Sequence, residues 1–463
     1  MRREWFIPGL LITPFTALAD DLLPESQFMP SPYKVLRFDE NYSTLSNPSN
    51  RTDWADSIKY IPLRTDEPGW YLIMGGELRE RFEGYDNPNF GIGGTGSDSS
   101  WLQRITLLSD VHLGERLRLF VEGISGVTEG GNPPAPPVQS DPLDLQYGFA
   151  EIAPYLTDDE SLTLRGGRFA MSFGSGRLVA TRAAPNIPLR FDGGEVVYER
   201  PLWEATTFFT RPVEDDGGIS GSNPGTLFWG LYVTHWFDQP HELGVDVYYL
   251  GIDNEKATYA SGSGHENRHS FGSRIFGTSG HWEWNGEGVV QVGTFGDEPI
   301  LAWTAAMDSG YTWDATWQPR LGLKVGVASG NSGNGSQGTF NALYFKSGYF
   351  NDAGLIRPQN LMGVHPNIAL KLSRTVSVDG GANWMWRYSR SDAVYAVPGY
   401  IEIPALQGAS SYIATAVDLN LQWQIQKHLS LGASFVHFFT GGDVHAAGGG
   451  DVNYVSTTLT FLF

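Results

Sequence analysis

The chain has 463 residues, of which 41% are hydrophobic, and no run of 18 apolar residues, which argues against a helical membrane protein. A formal net charge of −20 argues against a nucleic-acid partner. There is no Cys, which suits an exported chain that must stay clear of stray disulfides.

Residues 1–19 have the form of an export signal. Arg2-Arg3 precede Trp5-Phe6-Ile7 and Leu10-Leu11-Ile12, and Ala17-Leu18-Ala19 offers a small-x-small cleavage site before Asp20. Residues 20–69 carry Pro, Asp and Asn with no sustained period, and suggest a periplasmic lead-in with little regular structure. From 70 to 463 the apolar residues recur at period two and never at helical spacing.

Eighteen strand candidates follow, near 70–84, 101–113, 116–127, 144–154, 161–172, 191–200, 202–212, 226–237, 242–252, 269–278, 281–292, 300–312, 318–329, 363–373, 376–389, 411–425, 429–440 and 452–463. In 411–425, Ile413, Val417, Leu419, Leu421, Trp423 and Ile425 share one face, and Asp418, Asn420, Gln422 and Gln424 the other. A soluble sandwich would alternate too. Strand number, lengths near ten residues and aromatic ends favour a membrane barrel, whose lipid face takes every second residue. The weaker patterns at 144–154 and 300–312 leave 16 strands open.

The connectors alternate in length. Gly114-Glu115 and Gln426-Lys427-His428 are short, while 85–100, 128–143, 173–190, 213–225, 253–268, 330–362 and 390–410 are long. Short periplasmic turns alternating with long outer loops fit an all-β antiparallel barrel with both termini periplasmic. The last strand runs Tyr454 to Phe463 with Val455, Leu459, Phe461 and Phe463 in phase. It should pair with strand 70–84, turn Leu459 and Phe461 to lipid, and offer its end to the barrel assembly machinery.

On the lumen phase stand Arg79, Arg81, Arg104, Arg118, Arg274, Arg320, Lys324, Lys371 and Arg387. Facing them are Glu77, Glu83, Asp110, Glu122, Asp246, Glu283, Glu287, Asp379 and Asp418. The two sets are equal in number, so counting does not make an anion path; position decides. The plain alternative is that these charges pair across the wall. Connector 173–190 holds Arg177, Arg182 and Arg190 with no acid, and is sharper. Folded inward, it would form a constriction that grips carboxylates with planar guanidinium forks. Otherwise it is a surface loop whose Arg residues meet lipopolysaccharide phosphates. Arg165 and Arg168 join the candidate path.

Three apparent motifs carry little. His265-Glu266-Asn267-Arg268-His269 matches the zinc-peptidase pattern, but that pattern needs a helix. In extended backbone the two His lie about 13 Å apart, too far to share zinc. Gly91 to Gly96 fits a dinucleotide fingerprint without its strand-to-helix switch. Asp158-Asp159-Glu160 lacks the spaced ligands of a calcium loop. No cofactor, metal or catalytic residue is expected, and no enzyme.

The chain resembles the alginate export family of bacterial outer-membrane proteins. The stretches that carry the resemblance are Arg37-Phe38-Asp39-Glu40-Asn41-Tyr42, Lys59-Tyr60-Ile61-Pro62-Leu63 and Gly75-Gly76-Glu77-Leu78-Arg79-Glu80-Arg81. Further on come Leu164-Arg165-Gly166-Gly167-Arg168, Phe173-Gly174-Ser175-Gly176-Arg177-Leu178-Val179, Pro185-Asn186 running to Phe191-Asp192-Gly193, and Arg268-His269 leading to Gly272-Ser273-Arg274. The resemblance implies an 18-stranded barrel and passage of an anionic polysaccharide such as alginate, or of a related carboxylated solute, past arginines. Its surroundings would be outer-membrane lipid and lipopolysaccharide. An uptake porin for small organic acids or sugars, and a non-transporting adhesion or scaffold barrel, are the alternatives.

Overall fold

The computed structural model describes residues 33–94, 96–131, 138–237, 242–346, 348–396, 401–403 and 410–463. The expected signal at 1–19, and the lead-in up to residue 32, lie outside the described residues.

Eighteen long strands form one closed antiparallel barrel. They are β1 (Trp70–Asp86), β2 (Asp98–Leu113), β3 (Leu117–Gly130), β4 (Asp141–Leu156), β5 (Ser161–Phe169) and β6 (Phe191–Arg200). Next come β7 (Trp203–Glu214), β8 (Thr226–Trp236), β9 (Leu243–Tyr259), β10 (Gly262–Ser279), β11 (Trp282–Phe295) and β12 (Glu298–Thr312). The last are β13 (Arg320–Ala328), β14 (Leu361–Lys371), β15 (Val376–Arg387), β16 (Tyr412–Gln426), β17 (Leu429–Thr440) and β18 (Val452–Leu462). Each pairs with its neighbour in sequence, and β18 closes on β1 with Leu78 opposite Phe461 and Glu80 opposite Leu459. The expected first-to-last pairing is therefore present, and the segments near 144–154 and 300–312 are full strands.

The alternation explains the wall. Leu321, Leu323 and Val325 of β13 face outward and are exposed, whereas Arg320 between the same strands is 2% exposed and points inward. Across the wall, Leu107, Val121, Phe271, Leu301 and Leu419 stand exposed as Asp110, Glu122, Arg268, Arg274 and Asp418 are buried. Water would not tolerate so continuous an exposed apolar belt; lipid requires one. Tight turns use glycine where the backbone demands it: Gly114, in the turn from β2 to β3, has φ +79°.

One connector differs from expectation. Residues 253–268 are not a long loop but the top of the β9–β10 hairpin, which turns at Ala260-Ser261. Asp253, Asn254, Glu255 and Lys256 suggest loop composition. They are strand residues rising past the lipid, where both faces meet water.

Two other connectors fold inward. Residues 170–190, between β5 and β6, meet residues 329–360, between β13 and β14. The Ala180 amide donates to Tyr344 O (3.0 Å), the Tyr344 amide to Leu178 O (2.8 Å), and the Lys346 amide to Gly176 O (2.9 Å). Their apolar residues pack with inward aromatics of the wall. Phe173 stacks on Phe208 and Tyr232, and Tyr344 meets Phe191 and Phe228. The barrel thus has an apolar core inside its own lumen. Infolding of 329–360 departs from its reading as an outer loop. Phe340, Tyr344, Phe345, Tyr349 and Phe350, crowded into one connector, were the available signal.

Candidate functional site

The wall first pairs many of its own charges. Arg118 of β3 holds Asp110 at 2.7 Å and Glu151 of β4 at 3.2 Å. Arg165 of β5 holds Glu151 at 2.5 Å and also Glu195 of β6. Arg118, Glu151, Arg165 and Glu195 sit opposite one another in register, and so form a ladder of alternating sign across β3–β6.

Other candidates from the sequence are engaged in the same way. Arg104 pairs with Glu77 (2.7 Å), and Arg320 with Glu283. Arg274 pairs with Asp246 (2.7 Å) and Arg168 with Asp192 (2.7 Å). Arg387, 0% exposed, pairs with Asp443. Within connector 170–190, Arg177 donates to Glu287 (3.1 Å), and Arg190 is buried between Asp144 and Asp215. The connector has no acid of its own between Phe173 and Phe191, but the wall supplies acids to two of its three arginines. Lys371 is buried near the periplasmic end of β14 and accepts no place in the cavities described next.

Two large cavities lie inside the barrel among the described residues. One, about 600 Å³, lies against β1, β2 and β13–β18. Arg79, Arg81, Arg104, Arg182, Arg320 and Lys324 line it, with Lys34 and Lys346, against Asp39, Asp352, Asp379 and Asp418. The other, about 1060 Å³, lies against β1–β7. Its acids are Asp39, Glu40, Glu115, Glu151, Glu195, Glu199 and Glu204, against Lys34, Arg118 and Arg165. We call them the basic and the acidic lobe. Glu199 and Glu204 stand directly opposite each other on β6 and β7, a like-charge pairing.

In the basic lobe, Arg79, Arg182 and Lys324 form no ion pair with a carboxylate among the described residues. Arg79 donates to Ala183 O (2.9 Å), Ala184 O, Pro185 O and the Asn186 side chain (3.0 Å), all neutral. Arg182 donates to Leu343 O and Phe345 O, both at 3.1 Å. Lys324 has Asp308 and Asp379 only as more distant charges. Carbonyls satisfy guanidinium hydrogen bonds but leave the charge in place. These residues therefore set a positive potential that the pairs elsewhere do not. Arg182 and Leu343 both have φ +50°, so the contact that staples the two connectors holds strained backbone on each side.

Of the residues singled out in the sequence, Arg79, Arg81, Arg104, Arg182, Arg320, Lys324, Asp379 and Asp418 come together in the basic lobe, and Arg118 and Arg165 in the acidic one. Lys34, Asp39, Lys346 and Asp352 were missed. Asp352 takes Arg81 at 3.2 Å and the Ser456 hydroxyl at 2.8 Å, tying the second connector to the seam. The zinc-like stretch lies on β10, with Glu266 and Arg268 buried inward and His265 paired outward with Asp253 (3.1 Å). Among the described residues, no group of three or more His, Asp or Glu is arranged to hold a metal ion.

A family model described as alginate export matches residues 70–458. No curated protein matches the chain. Solved structures share its fold at low identity. Pseudomonas aeruginosa OpdK, crystallised with vanillate, is 10% identical with a TM-score of 0.59, over 85% of this chain and 98% of that one. OccK2 (OpdF) of the same organism, in complex with glucuronate, is 10% identical with a TM-score of 0.57, over 85% and 96%. Its OpdO is 11% identical with a TM-score of 0.57, over 85% and 97%.

Proposed function

The chain belongs to the alginate export family and is a channel of the bacterial outer membrane, and we propose that it passes an anionic polysaccharide such as alginate, or a related carboxylated solute, through the basic lobe. The observation that carries this reading is the trio Arg79, Arg182 and Lys324, cations that line the lobe without a carboxylate partner. A uronate carboxylate would exchange between them by diffusion. Asp379 and Asp418 on the same wall would keep any one site from holding it. No reaction is assigned.

Uptake of small carboxylated solutes is the second reading. It is favoured by the vanillate and the glucuronate with which two of the similar structures were crystallised. Both readings use the same trio. The variant Arg182→Ser/Lys324→Ser should lower the anion-to-cation permeability ratio in planar bilayers about tenfold, the scale on which a local field concentrates ions. An unchanged reversal potential in a salt gradient would remove the trio from the path. Block by polymannuronate, against competition by free glucuronate only, separates polymer from small-solute passage.

A further inference from the structure

The lead-in does not hang below the barrel; it enters it. Leu36 to Asp39 turn back on themselves in a short 3-10 turn, Arg37–Asp39. Phe38, 2% exposed, goes into the lumen and meets the inward rings of Phe120, Tyr147 and Phe149 edge-on, at 5.2 to 5.7 Å. Its carbonyl accepts from Arg118 Nη2 (2.5 Å), and the Arg165 guanidinium lies 4.9 Å from its ring. Arg37 braces the base of the turn. It donates to Glu40 Oε1 (2.7 Å), Gly76 O (3.1 Å) and Phe463 O (2.9 Å). Tyr42 holds the other oxygen of Glu40 at 2.9 Å.

The place of this hook matters more than its packing. Lys34, Leu36 and Asp39 line both lobes; the one other residue common to the two linings is Ser172, at the start of the first infolded connector. Apart from β1 and β2, which border both, the lobes use different stretches of the wall, one predominantly basic and one predominantly acidic. Hook and connector together therefore stand between them.

We infer that segment 34–42 is a partition built into the channel, and that Lys34 and Asp39, which border both lobes, are specificity-determining residues. Without it the lobes merge. Glu195, Glu199 and Glu204 would then share one water volume with Arg182 and Lys324, and the sorting by charge would be lost. With it, anions keep to the basic lobe, and the acidic lobe takes their counter-cations. The inference rests on the basic lobe being the anion path.

The test uses full-length protein in planar bilayers, with heat-modifiable gel migration as the check on folding. Phe38→Ser releases the hook. Joining two water paths should raise single-channel conductance about twofold and draw the anion-to-cation permeability ratio toward unity. Lys34→Glu leaves the hook seated and should lower that ratio at unchanged conductance, while Asp39→Asn should raise it. Folded Phe38→Ser with wild-type conductance and selectivity overturns the partition. If Phe38→Ser does not fold, the two charge variants decide, and reversal potentials unmoved in both overturn it. Arg182→Ser/Lys324→Ser reports on the underlying reading alone. A flat result there beside a conductance gain in Phe38→Ser removes the anion path and keeps the partition.

Discussion

The basic and acidic lobes share a barrel, a hook and a connector, yet they handle charge in opposite ways. In the acidic lobe, Glu151 and Glu195 are locked to Arg118 and Arg165 by register, so the wall spends its cations on itself. In the basic lobe, Arg79 and Arg182 turn to carbonyls that the infolded connectors bring to them. Backbone oxygens are neutral, so their charge is left to the water. The difference teaches that a channel can be locally cationic in a chain with a formal net charge of −20. What matters is which partner each arginine finds, not how many acids the sequence holds.

The contrast can be broken most sharply at the ladder. Arg165→Met leaves Glu151 and Glu195 facing each other without their shared cation. Removing one member of a buried network costs about 3–5 kcal/mol. The variant should unfold at clearly lower urea concentration, followed by loss of the slow-migrating heat-modifiable band. A loss below about 1 kcal/mol would class the ladder with ordinary exposed ion pairs.

A smaller effect is expected at the lead-in that feeds the partition. Lys59 is 1% exposed, and its Nζ has no hydrogen-bond partner. Burial, and then the neighbouring Arg37, push its pKa down to about 7 from the ordinary 10.5, against Glu40 and Asp56, which pull it up. The undocked lead-in thus binds the proton more tightly than the docked one. Docking should be weakest below about pH 7 and strengthen as pH rises toward 10.5. The chain has no Cys, so a single spin label at Ser57→Cys would report it. Lys59→Met should abolish the pH dependence and hold the label immobile throughout. The smallest change is expected from Glu204→Gln. It removes one of two opposed acids in the acidic lobe, and should cut cation permeability by no more than about twofold while leaving anion flux alone.

Much of the barrel was legible because alternation is a local signal. Each of the 18 segments needed only its own residues to show an apolar and a polar face, and lipid enforces that division over the whole wall. Where a strand leaves the lipid the rule lapses, which is why 253–268 looked like a loop. The lumen was less legible. Arg79 and Arg190 look alike in sequence; one meets carbonyls and the other Asp144 and Asp215, from strands and loops far along the chain. Such partners are fixed by closure of the barrel, not by neighbours in sequence. The hook shows the same limit. Phe38 in a Pro- and Asn-rich lead-in carries no period, and only the finished lumen gives its ring a place.

The seam has a consequence for how barrels stay separate. β1 has 17 residues and β18 has 11, so the lower part of β1 extends past its closing partner. The lead-in covers it: Ile61 and Pro62 pair with Leu72 and Tyr71, and the Leu63 amide donates to Trp70 O (2.9 Å). Trp54 then stacks on Phe461 from outside, as Phe38 anchors within. A bare β-edge is a template on which another copy's strand can add. By supplying its own chain-stopper at that edge, each protomer becomes self-terminating, and crowded barrels in one membrane have no open end through which to polymerise.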